Sequence, residues 1–311
     1  MRAFLTGVSG FVGSHLADRL RRDGHDLVPV CRPASRLPEL SCSLDVRRLD
    51  FLDVDELADC MQGVDAIYHA AGATSGRSQD ELDRANVATT RCLLEARSRA
   101  APEALFVLVS SLSAAGPSGS GGVPVGPYGR SKLLAEMCLR KFERWVIVRP
   151  PAVFGPGDRA TAPLFGMARA GLLFLPASRS ARVPLVYVED LAEMLASLPS
   201  REEAVTAKTL VPAYPEPFGW RELAGLLERA AGRKILTVPV PGALVRLAGR
   251  LSELAGLFSR KPPVFDRYKS LEFLAEGWDL DKGETVALSG WSPATPIEEA
   301  LRRTLTGQAA P

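Results

Sequence analysis

No run of about twenty apolar residues occurs in this chain of 311, so no segment has the length to cross a bilayer as a helix. Charge of one sign is also lacking. The 38 Lys and Arg stand against 36 Asp and Glu, and no long basic run forms, which removes the electrostatic case for a nucleic-acid partner. Cysteine is sparse: Cys31, Cys42, Cys60, Cys92 and Cys138 make no Cys-x-x-Cys pair and have no His at ligand spacing. An odd, scattered set fits reduced thiols better than a disulfide framework, and no metal site is expected. The opening "MRAFLTG" is too short, and too soon broken by glycine, for a signal peptide. Together these absences lead to the expectation of a soluble, cytoplasmic protein. Its length suits one large domain or two closely joined ones.

What is present begins with glycine. "RAFLT" is a short apolar run, "GVSGFVG" follows, and "SHLADRLRRDG" has a helical pattern. Strand, glycine turn and helix in that order let backbone N–H groups approach a pyrophosphate, with the positive end of the helix aimed at it. Gly7, Gly10 and Gly13 carry this expectation. The next strand, "DLVPVC", ends where an adenosine ribose would lie. Arg32 stands there, with Arg36 after it and no Asp or Glu, which favours NADP(H) while leaving NAD(H) open. "VDAIYHAAGAT" is a further strand running into Ala70, Ala71 and Gly72, whose small size lets a dinucleotide pass close over the strand end. Asp50 and Phe51 are expected to frame an adenine. Asp53 reads as a helix cap, and His69, alone in an apolar stretch, as a packed residue.

The middle of the chain carries the chemistry. "ALFVLVSSLSAAG" is a β-rich run over 104–109 ending in Ser110, Ser111 and Ser113. "PYGRSKLLAEMCLRKF" then opens a helix with Tyr128 and Lys132 four positions apart, on one face. An ammonium beside a phenol lowers the phenol's pKa and suits it to proton transfer.

With these pieces in place the chain resembles the extended short-chain dehydrogenases/reductases, the NAD-dependent epimerase/dehydratase superfamily, and within it the dihydroflavonol-reductase and 3-beta-hydroxysteroid-dehydrogenase-like members. The matching stretches run in the family's order: "TGVSGFVG", "YHAAG", Asn86 ahead of "VATTRCLLEA", "VSSLSAAG", "YGRSK", "VRPPAVFGPGD", "VPLVYVEDLAE" and "SGWSPATPIEEALRRTL". The resemblance implies an α/β fold, a Rossmann-type doubly wound parallel sheet with a smaller C-terminal substrate-binding lobe. It implies a dinucleotide domain over 1–160, with 183–215 returning to it, and a lobe from 161–182 and 216–311. It also implies Tyr128 as acid/base, Lys132 on the nicotinamide ribose and Ser111 polarising the substrate, with Ser113 and Arg182 as substrate contacts. Ser9, Phe11, Val12, Asn86, Ser110, Pro150 and Val153 join the cofactor contacts on the same ground. Pairing as a homodimer is implied as well. The short connection "LSAAGPSGSGGVPVGP" departs from the family's longer loop and is expected to order over a bound ligand.

The second half should choose the substrate. The stretch 162–176 is apolar, and within 239–265 Leu244, Leu247, Leu251, Leu254 and Phe258 recur at helical spacing. The plain expectation is an amphipathic helix packed on the lobe by that stripe; a lid over an apolar substrate and a patch on a membrane surface are the alternatives. The Arg-x-Gly-Asp stretch common in nucleotide-sugar enzymes of the family is absent, although Arg182 and Arg267 could still meet an anion. Trp278 and Trp291 read as lobe packing. The expected function is an NADP(H)-dependent oxidoreductase interconverting ketone and secondary alcohol on a mostly apolar small molecule. The alternatives are a nucleotide-sugar epimerase or dehydratase recycling NAD(H), and a catalytically silent dinucleotide-binding subunit.

Overall fold

A computed structural model describes residues 1–38, 43–256, 262–263, 265–278, 280 and 282–307. Cys42 and Phe258 lie outside them. The strands β1 (Arg2–Thr6), β2 (Asp26–Cys31), β3 (Arg47–Arg48), β4 (Ala66–His69), β5 (Leu105–Val109) and β6 (Trp145–Val148) form one sheet with the later strand Lys208–Leu210. In space the order is β3, β2, β1, β4, β5, β6, Lys208–Leu210, and every neighbouring pair is parallel. This is the doubly wound Rossmann arrangement, whose direction of winding reverses between β1 and β4.

The sequence builds this sheet because its central strands are largely apolar, as burial on both faces demands, while the edge strands Arg47–Arg48 and Lys208–Leu210 carry exposed charge. Alternate residues separate into two layers. Ala3, Leu5, Tyr68, Val107 and Val148 face one core, closed by Leu16 and Leu20 of helix Phe11–Arg22 and by Leu191 and Leu195 of helix Val188–Ser197. Phe4, Ile67, Phe106 and Ile147 face the other, closed by Leu57, Leu93 and Leu139. A third core gathers Phe154, Phe165, Leu173, Tyr214, Trp220 and Leu301 around the parallel pair Leu172–Pro176 and Leu236–Val240. Trp291, expected as lobe packing, instead joins the first core and donates its indole N–H to the Asp190 carbonyl at 3.1 Å.

A second expectation is corrected. Residues Gly242–Gly256 do form a helix, but its leucine stripe does not pack on the lobe: Leu244, Leu247, Leu251 and Leu254 are all exposed. The buried side carries Val245 and Gly249 instead. Helical spacing identifies a face without saying which face finds a partner.

Candidate active site

The winding reversal opens a crevice at the carboxyl ends of β1 and β4. Gly7 and Gly13 are required there. A Cβ on Gly7, whose φ is +86°, would lie 2.5 Å from the Ala70 carbonyl carbon, and one on Gly13 would lie 2.1 Å from the Gly7 oxygen. The backbone therefore closes on itself and leads into helix Phe11–Arg22, whose first turn has no side-chain cap and no acidic residue. Uncapped N–H groups at the positive end of a helix are what an anionic pyrophosphate needs. Gly7, Ser9 and Gly10 line the crevice together with Ala70, Ala71 and Gly72, and Arg32, Phe51, Cys31 and Ser35 complete it. These residues fit a dinucleotide. Phe11, Val12 and Gly13 lie in the first turn of the helix itself.

Arg32 is exposed, and the loop beyond it is held by Arg48, which donates to the Pro33 and Ser35 carbonyls at 2.7 and 3.0 Å. Asp50 is absent from the crevice wall: its carboxylate accepts from the Leu52 N–H at 3.1 Å and shapes its own turn. Asp53 caps the following helix by accepting from the N–H groups of Asp55 and Glu56.

Beneath the crevice runs a directed chain of hydrogen bonds. Thr6 Oγ1 accepts from the Ala71 N–H at 3.2 Å and lies 2.9 Å from His69 Nδ1. His69 Nε2 lies 3.1 Å from Thr90 Oγ1, which donates to the Asn86 carbonyl. With the Thr90 proton so committed, His69 must donate from Nε2 and accept at Nδ1. Burial drives its pKa down to about 3, with the Lys132 charge adding to the effect, so the ring is a neutral strut. Asn86, in a π-helical turn over Arg84–Ala88, is equally committed. Its Oδ1 accepts from the Ala73 N–H at 2.9 Å, and its Nδ2 donates to the Ala73 carbonyl at 3.0 Å and to Ser131 Oγ at 2.8 Å. Asn86 thus ties the end of β4 to the helix that bears Tyr128.

That helix, Pro127–Leu139, opens with proline at its first position, where the missing N–H is not needed. Ser111 follows β5 and faces it. The Ser111 hydroxyl accepts from the Ser113 N–H at 3.2 Å and lies close enough to the Tyr128 phenol to act on it. Burial raises the Tyr128 pKa above its ordinary value, while the Ser111 hydroxyl and the Lys269 ammonium pull it back. Lys132 is not what tempers the phenol here. Its ammonium is buried and donates to the Val109 carbonyl at 2.8 Å, and burial lowers its pKa to about 8 against the favourable charge of Glu136.

Ser110 turns away from the crevice, donating to Glu136 Oε1 at 2.5 Å, and Arg149 clamps the same carboxylate through Nε at 2.9 Å and Nη2 at 2.6 Å. Pro150 and Val153 follow on the chain. Pro150 is buried with its carbonyl accepting from the Leu112 N–H at 2.9 Å, and Val153 packs on the first core from strand Ala152–Phe154. Ser113 is buried beside Ser111. Arg182 uses its guanidinium on the Arg179 and Ala181 carbonyls, and Arg267 lies 3.5 Å from Glu253.

Two charged residues beside the expected catalytic side chains escaped sequence reasoning. Lys269 Nζ lies 5.8 Å from the centroid of the Tyr128 ring and 2.6 Å from Glu272 Oε2. Helix Arg267–Phe273 brings it there, capped by Asp266 and pressed so close that a Cβ on Gly126 would meet the Tyr268 side chain at 2.7 Å. The only local signal was Asp266, Lys269 and Glu272 at spacings of three. The other is Glu136, one helical turn beyond Lys132, which the apolar stretch around it could have marked as a buried charge in need of a partner.

The profile of the NAD dependent epimerase/dehydratase family matches residues 3–209. A ceramide reductase of Caulobacter vibrioides is 31% identical over 278 residues, covering 88% of this chain and 84% of that protein. Among solved structures, a human epimerase family protein with NADPH superposes with a TM-score of 0.76 at 23% identity, over 98% of this chain and 99% of its own. A UDP-glucuronic acid 4-epimerase of Bacillus cereus in complex with NAD gives 0.76 at 18% identity, over 99% and 98%. These two likenesses concern the fold. A larger cavity of about 370 Å³, walled by His15 and by charged residues including Arg19, Glu189 and Arg303, contains none of the residues expected to act.

Proposed function

Since the chain belongs to the NAD dependent epimerase/dehydratase family and is an NAD(P)-dependent oxidoreductase, we propose that it interconverts a ketone and a secondary alcohol on a mostly apolar small molecule, working with NADP(H). The observation that carries this reading is the trio of Ser111, Tyr128 and Lys269 beside the dinucleotide crevice. Because burial raises its pKa, the Tyr128 phenol holds its proton at neutral pH. It is therefore set to act as an acid, giving the proton to a carbonyl oxygen as that oxygen gains charge. A nicotinamide, when bound, supplies the hydride to the carbonyl carbon. Ser111 steadies the oxygen by hydrogen bonding, and Lys269 then favours the phenolate left behind.

Lys132 is the candidate for the nicotinamide ribose, and its present bond to Val109 is the one a ribose hydroxyl would share. Preference for NADP(H) rests on Arg32 at the end of β2, on Ser35 beside it in the crevice, and on the lack of an acidic residue there among the described residues. The apolar substrate class is supported by the ceramide reductase relative, with residues 161–182 and 216–311 as the lobe that selects it. Arg182 and Arg267, the candidates for a sugar diphosphate, are engaged with their own turn and with Glu253.

The test is Tyr128→Phe assayed with NADPH on a panel of apolar ketones. Turnover should fall by roughly 10²–10⁴ while NADPH affinity stays within about twofold, and NADPH should bind the wild type about tenfold or more tighter than NADH, which is 1.4 kcal/mol. Undiminished turnover would remove Tyr128 from the mechanism. Tightly retained NAD(H) with no net coenzyme consumption would bring the epimerase forward.

A further inference from the structure

The helix Gly242–Gly256 has two unlike sides. One is closed against the chain that follows: Val245 and Gly249 are buried, and a Cβ on Gly249 would lie 2.6 Å from the Asp266 carbonyl oxygen. On the other side Leu244, Leu247, Leu251 and Leu254 are 48–57% exposed. Ala243, Ala248 and Ala255 are exposed among them. At 100° per residue these seven positions fill an arc of roughly 140° that no polar residue interrupts. Arg246 and Arg250, both exposed, border the arc, whereas Glu253 lies beyond them and pairs with Arg267 at 3.5 Å.

We propose that this face is a membrane-docking surface, lying in the plane of an anionic lipid bilayer with its leucines among the acyl chains and Arg246 and Arg250 at the headgroups. An apolar arc with arginines along one edge, on a helix too short to span, is the pattern of an interfacial helix. Charge complementarity selects the lipid: the flank offers guanidinium groups to anionic headgroups, and Glu253, the acidic side chain of this helix, is already paired with Arg267. A second copy of the chain is a poor occupant. One helix about 22 Å long and 10 Å wide presents roughly 220 Å², well below the 800 Å² or so per partner of a stable interface.

The position of the helix has a consequence for the site. The buried side of the docking helix packs on the segment that leads into helix Arg267–Phe273, and that segment carries Lys269 to the Tyr128 ring. Docking therefore brings the lobe over Tyr128 to the bilayer surface, where an apolar molecule resides. The docking itself follows from the helix alone and stands whether or not the proposed reduction is correct.

Flotation of the purified full chain with vesicles tests it without any assay of turnover. Wild-type protein should float with vesicles of phosphatidylglycerol and phosphatidylcholine, and at least tenfold less with phosphatidylcholine alone. The double variant Leu247→Ser/Leu251→Ser should lose at least tenfold in binding with its melting temperature unchanged, because both side chains already stand in solvent. Arg246→Gln/Arg250→Gln should lose the preference for anionic vesicles. Wild-type protein that stays at the bottom of the gradient, or leucine variants that float as well as the wild type, would overturn the proposal. So would sedimentation velocity showing a wild-type dimer that the leucine variants dissociate, since a second copy would then cover this face.

Discussion

Around the seven-stranded sheet leucines point inward and the buried carboxylate of Glu136 is fully paired; in helix Gly242–Gly256 four leucines point outward. Glu136 shows the first habit at its extreme, with a side chain 1% exposed and yet three donors from Ser110 and Arg149. Leu251 shows the second, an aliphatic side chain 56% exposed on a helix whose opposite side is closed. The difference teaches that one chain meets two solvents. The sheet half is finished by its own contacts, and any change there is charged against folding. The leucine face of the helix is left to solvent by the described residues, so changes there are expected to leave folding alone.

The comparison can be broken most forcefully at Glu136. Replacing it with Ala leaves Arg149 without its bidentate partner and Lys132 without its favourable charge, and should cost about 3–5 kcal/mol in denaturant unfolding. A cost under about 1 kcal/mol would show that water serves Arg149 as well as the carboxylate does.

Lys132 gives a smaller effect of opposite sign. Its folded pKa, about 8, lies below the ordinary 10.5, so the folded state releases the proton first. Below pH 8 the buried ammonium therefore costs stability, on the order of 3 kcal/mol, and the cost fades as pH rises from 8 to 10.5. Allowing about 1 kcal/mol for the lost bond to Val109, Lys132→Met should stabilise the protein by about 2 kcal/mol at pH 7 while impairing turnover. Unfolding curves at pH 7 and pH 10.5 check it: the gain must disappear at the higher pH, and a gain independent of pH would assign it to packing instead.

The smallest effect belongs to the outward leucines. Leu251→Ser should change stability by less than about 0.5 kcal/mol. A loss of 2 kcal/mol or more would mean the leucine stripe is packed within the fold, and the contrast between the two regions would dissolve.

Much of the site was legible locally. The glycine turn, the small residues after β4, Ser111 and the Tyr128–Lys132 spacing are each set by a few adjacent residues, and the crevice draws Gly7, Ser9, Gly10, Arg32, Phe51, Ala70, Ala71 and Gly72 together. Ser110 and Asp50 were less legible, since a hydroxyl or a carboxylate at a strand end can face a ligand or its own scaffold. The structure gives Ser110 to Glu136 and Asp50 to the Leu52 N–H.

The order of strands and helices, and with it the family, was determined by the sequence alone, because apolar runs of strand length, glycine turns and helical periodicity are short-range properties. The tertiary structure decided which charge stands over Tyr128, since Lys269 lies 141 positions away along the chain. It also decided that Lys132 is buried against Val109, and which side of the leucine helix stays open. Those outcomes depend on what each surface meets in space, and burial, which sets both pKa and exposure, belongs to the pair of surfaces and not to either one.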